Sequence, residues 1–173
     1  MKHPLKKANR NLIIMIIIAL IVACSAATAQ NLRFNETEYF TASIILDPYA
    51  SVKSNGLFIG AEIEYVGLIY TRAGIANFAV LEDGYTEVIG AIGLNLTSGY
   101  FEKVRYYAGG RLGVIKRQSA NATAGLEAGI DLSLGESFFI GLRATYDYRS
   151  DFAFYDYPNE MRYNGLVRVG VKF

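Results

Sequence analysis

The 173-residue sequence has one histidine, one cysteine, no tryptophan and only three prolines. His3 and Cys24 both fall in the first thirty residues, so the rest of the chain has no imidazole and no thiol. This excludes a histidine- or cysteine-based metal site, a disulfide framework and the serine–histidine arrangement of hydrolases. The remaining serines and carboxylates offer no obvious base near neutral pH. Charge of either sign is scarce too: 17 Lys and Arg balance 16 Asp and Glu, for a net charge of +1. No basic surface for a nucleic-acid partner follows from that balance. What the chain has in quantity is Gly (17) and Tyr (13), a composition that suits many strands joined by tight turns.

The start of the chain reads as a targeting segment. Lys2, Lys6, Lys7 and Arg10 precede an apolar run from Leu12 to Ala23, too short for a standard membrane-spanning helix. Ala27-Thr28-Ala29 then supplies a small-x-small cleavage site. Residues 1–29 are therefore expected to be a signal peptide and 30–173 a single domain. Ile21-Val22-Ala23-Cys24 supports a rival reading, in which Cys24 is lipidated and becomes the new N-terminus. Either route exports the protein.

Eight segments with the two-residue period of half-buried strands follow. They run over 39–46, 57–65, 69–76, 86–96, 104–115, 122–134, 138–149 and 163–173. In the seventh, Phe138, Ile140, Leu142, Ala144, Tyr146 and Tyr148 alternate with Arg143, Thr145, Asp147 and Arg149. Connections alternate between short, as at Val66-Gly67 and Gly135-Glu136-Ser137, and longer, as at 47–56, 77–85 and 150–160. The loop over 116–121 is only moderately longer than the turns. Even strand number, segments of this length and alternating loop lengths are those of an antiparallel barrel crossing a membrane.

A soluble barrel would turn its apolar face inward around a ligand, and a periplasmic or lipid-anchored carrier of a small apolar ligand is the competing reading. Two patterns favour the membrane. Aromatics sit at the ends of the apolar face with aliphatics between them: Tyr163 and Phe173 bracket Val167, Val169 and Val171. Glycines share the charged face, as at Gly109, Gly113, Gly129 and Gly141. They leave room for long side chains in a lumen that eight strands make just wide enough to fill.

With export, eight strands and a terminal Phe173 in place, the mature chain resembles the small eight-stranded outer-membrane β-barrels. The resemblance is architectural and implies an all-β, eight-stranded antiparallel up-and-down transmembrane barrel in the outer membrane of a Gram-negative bacterium. Its implied partners are membrane lipid and the barrel-assembly machinery, with Phe173 as part of the assembly signal. On this reading the interior is closed by an ion-pair network of Glu62, Glu64, Arg72, Glu87, Arg105, Arg111, Glu127, Asp131, Arg143, Asp147 and Arg168. A three-residue turn at Val66-Gly67-Leu68 would set Glu62 opposite Arg72, and the turn at 135–137 sets Arg143 opposite Gly129, diagonal to Glu127 and Asp131. No enzyme activity and no cofactor are expected. Contact with an unidentified surface partner falls to the loops, with Phe152, Phe154, Tyr155 and Tyr157 as candidates; the competing reading is that these aromatics extend the hairpin and pack over the barrel mouth. Three glycosylation-type triplets begin at Asn35, Asn95 and Asn121, a pattern short enough to arise by chance.

Overall fold

The computed structural model describes residues 32–53, 55–79, 84–98, 103–154 and 160–173. The expected signal segment 1–29, Cys24, Tyr155 and Tyr157 lie outside the described residues, as does the side chain of Phe154. The described residues form nine strands and two short helices: β1 (Leu32–Phe34), β2 (Tyr39–Leu46), α1 (Pro48–Lys53), β3 (Leu57–Val66), β4 (Ile69–Ala79), β5 (Tyr85–Ser98), β6 (Val104–Lys116), β7 (Ala120–Leu134), β8 (Phe138–Arg149), α2 (Asp151–Phe154) and β9 (Met161–Lys172). All pairings are antiparallel. β2 to β9 pair in chain order, and β2 with β9 closes the ring. Phe40 and Phe173 complete the seam by exchanging backbone hydrogen bonds, 2.9 and 3.0 Å.

The eight expected segments are the eight barrel strands. Alternation decides their faces, because successive side chains of a strand point to opposite sides. Leu112, Leu126, Leu142 and Ile92 point outward, and Leu112 is 69 % exposed. Arg111, Glu127, Arg143 and Glu87 are buried inside. An apolar-ligand carrier needs the reverse arrangement. Aromatic rings flank the outward aliphatic band. At the end of the barrel that carries the chain terminus, Phe40 lies between Tyr65 (5.5 Å) and Phe173 (6.3 Å). At the opposite, loop end, Tyr146 stacks on Tyr163 at 4.4 Å.

Three local features depart from the sequence reading. β3 and β4 pair two residues out from the expected register, so that Glu64 faces Arg72 and Glu62 faces Gly74. The cause is a wider turn, held from outside. Asn95 donates its backbone N–H to the Leu68 carbonyl (3.1 Å) and its side-chain amide to the Gly67 carbonyl (2.7 Å). Those turn carbonyls are thus satisfied by β5, and no tighter closure is needed. The hairpin over 116–121 is also shorter than expected, since β6 and β7 leave just residues 117–119 between them. Finally, β1 and both helices had no period to announce them. β1 pairs Phe34 with Leu96 and Leu32 with Ser98, continuing the line of β4 beside β5 at the terminal end.

Candidate functional site: a filled and charged lumen

The middle of the lumen is one connected set of four carboxylates and four guanidiniums. Glu64, on β3, is the hub. It meets Arg168 at 2.6 Å, Arg105 at 2.8 Å and Arg72 at 3.3 Å. Glu62, two residues earlier on the same inward face, accepts from Arg143 Nη1 at 2.7 Å and lies 3.4 Å from Arg168. Glu127, from across the barrel on β7, meets Arg72 at 2.7 Å and Arg143 at 3.7 Å. Asp131 accepts from Arg105 and from Arg168, the latter at 3.0 Å. The four acids balance the four arginines, and all eight are buried. Balance matters because a buried ion left without its partner costs several kcal/mol, whereas a matched pair roughly offsets its own desolvation.

Two tyrosines floor this network. Tyr70 donates its hydroxyl to Glu127 at 2.7 Å. Tyr107 accepts from Arg143 Nε (3.3 Å) and Arg168 Nη1 (3.2 Å), and its ring lies about 5 Å beneath Arg72 and Arg105. The rings pack edge-on to each other at 5.5 Å, so the π faces remain available to the cations. Glycine makes the room. A Cβ at Gly109 would lie 2.5 Å from the Tyr70 hydroxyl, and one at Gly93 would lie 2.7 Å from the same ring. Neither tyrosine was singled out from sequence. The available signal was an aromatic on the charged face with glycines on the paired strands.

Arg143 shows what hairpin arithmetic can and cannot reach. It does sit opposite Gly129. Its strongest partner, however, is Glu62 on β3, across the lumen rather than on a neighbouring strand. Above this layer, towards the loops, Arg111 serves Asp147 at 3.2 Å and Glu87 at 3.7 Å. Thr145 donates to Asp147 at 2.8 Å. The eleven residues expected inside are therefore all inside, divided between a central network and this smaller trio.

The loop end is closed differently. Ile45, Phe58, Ala76, Phe78, Ile115 and Leu166 point inward together with Tyr85, and Ala50 of α1 covers them. Asp47 places the helix by accepting from the Ala50 N–H at 2.8 Å, an N-cap contact. Over this plug lies a last ion cluster. Asp151 accepts from Arg149 (3.0 and 2.7 Å) and Arg117 (2.9 Å). Arg149 in turn stands 4.3 Å over the Tyr85 ring. Burial opposes ionisation of Asp151, but Arg149 and Arg117 outweigh it and hold the carboxyl below its ordinary range.

Phe152 follows the second of the two readings of the loop aromatics, packing over the mouth. It is 8 % exposed, with Arg149 at 4.5 Å over its ring, because α2 folds the start of the fourth loop down onto the mouth. The Asn35, Asn95 and Asn121 side chains are buried and hydrogen-bonded to backbone carbonyls, so these triplets serve the turns. Among the described residues no group of His, Cys, Asp and Glu is arranged to hold a metal ion.

Known proteins give a match at the level of fold. No protein-family model and no curated protein sequence matches the chain. Among solved structures, the N-terminal β-barrel domain of Pseudomonas aeruginosa OprF superposes with a TM-score of 0.55 at 13 % identity, over 80 % of this chain and 99 % of that domain. Neisserial surface protein A gives 0.52 at 11 % identity, over 78 % of this chain and 95 % of that one. The chain is thus a closed, eight-stranded antiparallel barrel with the fold of the small outer-membrane barrels.

Proposed function

We propose that this protein is a non-enzymatic barrel of a Gram-negative outer membrane, closed to solutes, that serves a structural or surface-interaction role through its far loops. One observation carries the reading: the barrel is inverted relative to a soluble protein. Its outer wall is a continuous aliphatic band between aromatic girdles, far beyond the few hundred Å² of apolar patch that a soluble monomer tolerates, and its charges are inside. Lipid is the solvent that such a wall fits. The end carrying the chain terminus then faces the periplasm, and the connections from β2 to β3, β4 to β5 and β8 to β9 belong to the outward end. With Phe152 committed to the mouth, Phe154, Tyr155 and Tyr157 are the proposed contacts for a surface partner. Phe173, 68 % exposed at the seam, is proposed as part of the signal read by the assembly machinery.

Membrane fractionation followed by electrophoresis with and without boiling tests this. The expected result is an outer-membrane protein whose mobility changes on heating. A soluble periplasmic protein with heat-independent mobility overturns the reading. In planar bilayers the same protein is expected to give no large steady conductance, since a lumen of eight strands is filled by its side chains.

A further inference from the structure

Among the described residues the lumen is filled in its middle by the ion network and towards the loops by the apolar plug, but not at its terminal end. There the strands leave a recess of about 260 Å³, far above the roughly 10–15 Å³ that a single water needs. The contrast within the same barrel is sharp: the void between the central network and the Arg111 trio is about 10 Å³. The recess is lined by Arg33, Glu36, Tyr39, Arg105, Ser133 and Lys172, among others. With Thr97 of β5, these come from β1 and the segment after it, β2, β5, β6, β7 and β9, so six parts of the fold converge on it.

The lining is unbalanced where the central network is balanced. Arg105 is already matched by Glu64 and Asp131. Lys172 is not matched: among the described residues its ammonium meets the Ser133 hydroxyl and the Tyr39 ring, and forms no salt bridge. Arg33 and Glu36 are both exposed at the rim, where water screens them, so neither sets the charge inside. An ammonium on a low-dielectric wall, beside hydroxyl donors and with no carboxylate of its own, attracts an anion. The recess is also built rather than left over. β1 extends the sheet at this rim, and Asn35, buried at its end, donates 2.8 Å to the Thr37 carbonyl and fixes the segment that forms one wall.

We infer that this terminal-end recess is a binding site for a small anionic group, a phosphate or a carboxylate, with Lys172 as its principal charge partner and Ser133 as a hydroxyl donor. The group arrives either on a small solute or on the headgroup of an anionic lipid. The inference rests on the geometry of the recess and on nothing said above about the loops or their partner.

The test uses protein purified from membranes in detergent, isotope-labelled, and titrated with inorganic phosphate. The expected result is a saturable shift of backbone amides confined to Tyr39, Thr97, Ser133 and Lys172. Lys172→Met should weaken the apparent affinity at least tenfold, about 1.4 kcal/mol, with heat-dependent mobility intact, whereas Lys172→Arg should retain binding. Ser133→Ala, which removes the hydroxyl donor and no charge, should weaken it too and serves if the Lys172 variants fail to fold. Nanodiscs with and without phosphatidylglycerol identify the source. Shifts at the same amides that appear with the anionic lipid and block the phosphate response assign a headgroup. Shifts from phosphate in neutral nanodiscs assign a free solute. No saturable shift from either probe in the unsubstituted protein, or equal affinity in Lys172→Met, overturns the inference.

Discussion

In the middle of the lumen Glu64 touches three guanidiniums within 3.3 Å. Near the loops, Phe58 faces Phe78 at 6.5 Å and Phe78 faces Tyr85 at 5.4 Å. Both regions fill the same bore, one with ions and the other with rings and aliphatic chains. The ionic region has little tolerance: each carboxylate is shared by several arginines, so one deletion strands charges on other strands. The apolar region is specified by volume, and volume can be approximated. The ionic region ties β3, β4, β6, β7, β8 and β9 across the bore. It fixes which strands face which, while the plug closes what has already been arranged.

The strongest way to break that comparison is at the hub. Glu64→Ala leaves Arg72, Arg105 and Arg168 with one shared acid fewer and should cost about 3–5 kcal/mol, the usual loss when one partner of a buried pair is removed. Urea unfolding in detergent, followed by heat-dependent mobility, measures it. A loss under about 1 kcal/mol would mean that water solvates the centre, and the lumen would then be wetter than its packing indicates. Next in size is a charge placed on the outer wall. Leu142, 60 % exposed on β8, should lose about 2–4 kcal/mol when changed to Arg if it sits at bilayer mid-depth. A neutral result would remove lipid from the account of that face.

How much of this was legible in the sequence follows from the same contrast. Strict alternation gave the strands and their faces, because a period of two is a local property. Every one of Glu62, Glu64, Arg72, Glu127 and Arg168 could be placed inside on that basis alone. Their partners could not. Glu62 with Arg143 joins β3 to β8, which are not neighbours, and no hairpin count reaches across a bore. The Glu64–Arg72 register was misjudged because the turn at 67–68 is set by Asn95, 27 residues or more downstream in the chain. The apolar plug was hidden for a different reason. Ile45, Phe58, Phe78, Ile115 and Leu166 are apolar residues at inward positions, where alternation leads one to expect polar ones. For Phe78 the broken period reads as the end of a strand. The exception carried the information, as it does for β1, too short to show a period at all.

The plug supplies a smaller and complementary effect. Phe78→Leu keeps an apolar side chain of comparable bulk in a cluster of similar residues, and should cost less than about 1.5 kcal/mol. The same unfolding assay reads it against Glu64→Ala. If Phe78→Leu proved as costly as the loss of Glu64, the two regions would share one tight packing requirement, and the distinction between ionic specification and apolar filling would fail.

The smallest expected effect lies where the two regimes meet, at Asp151 on top of the plug. Its carboxyl is buried, which disfavours the charged form, but Arg149 and Arg117 hold its pKa below the ordinary range. A carboxylate depressed in the folded state contributes stability that is fully present above its unfolded pKa, about 3.9 for Asp. That contribution is lost as pH falls through the lower, folded value. Between those two points the loop end of the barrel should loosen while the central network still holds. Protection of the Arg149 and Ser150 amides against hydrogen exchange, taken relative to the intrinsic rate at each pH, should therefore fall on acidification below about pH 4. In Asp151→Asn the exchange should already be faster at neutral pH, and its acid dependence should flatten, because the titrating group is gone while the hydrogen-bonding shape is partly kept. The Tyr107 region, reached by none of these contacts, should keep its protection in both proteins. Protection that fell equally at both levels would show that the barrel opens as one unit, and that the plug and the network are not separable in stability after all.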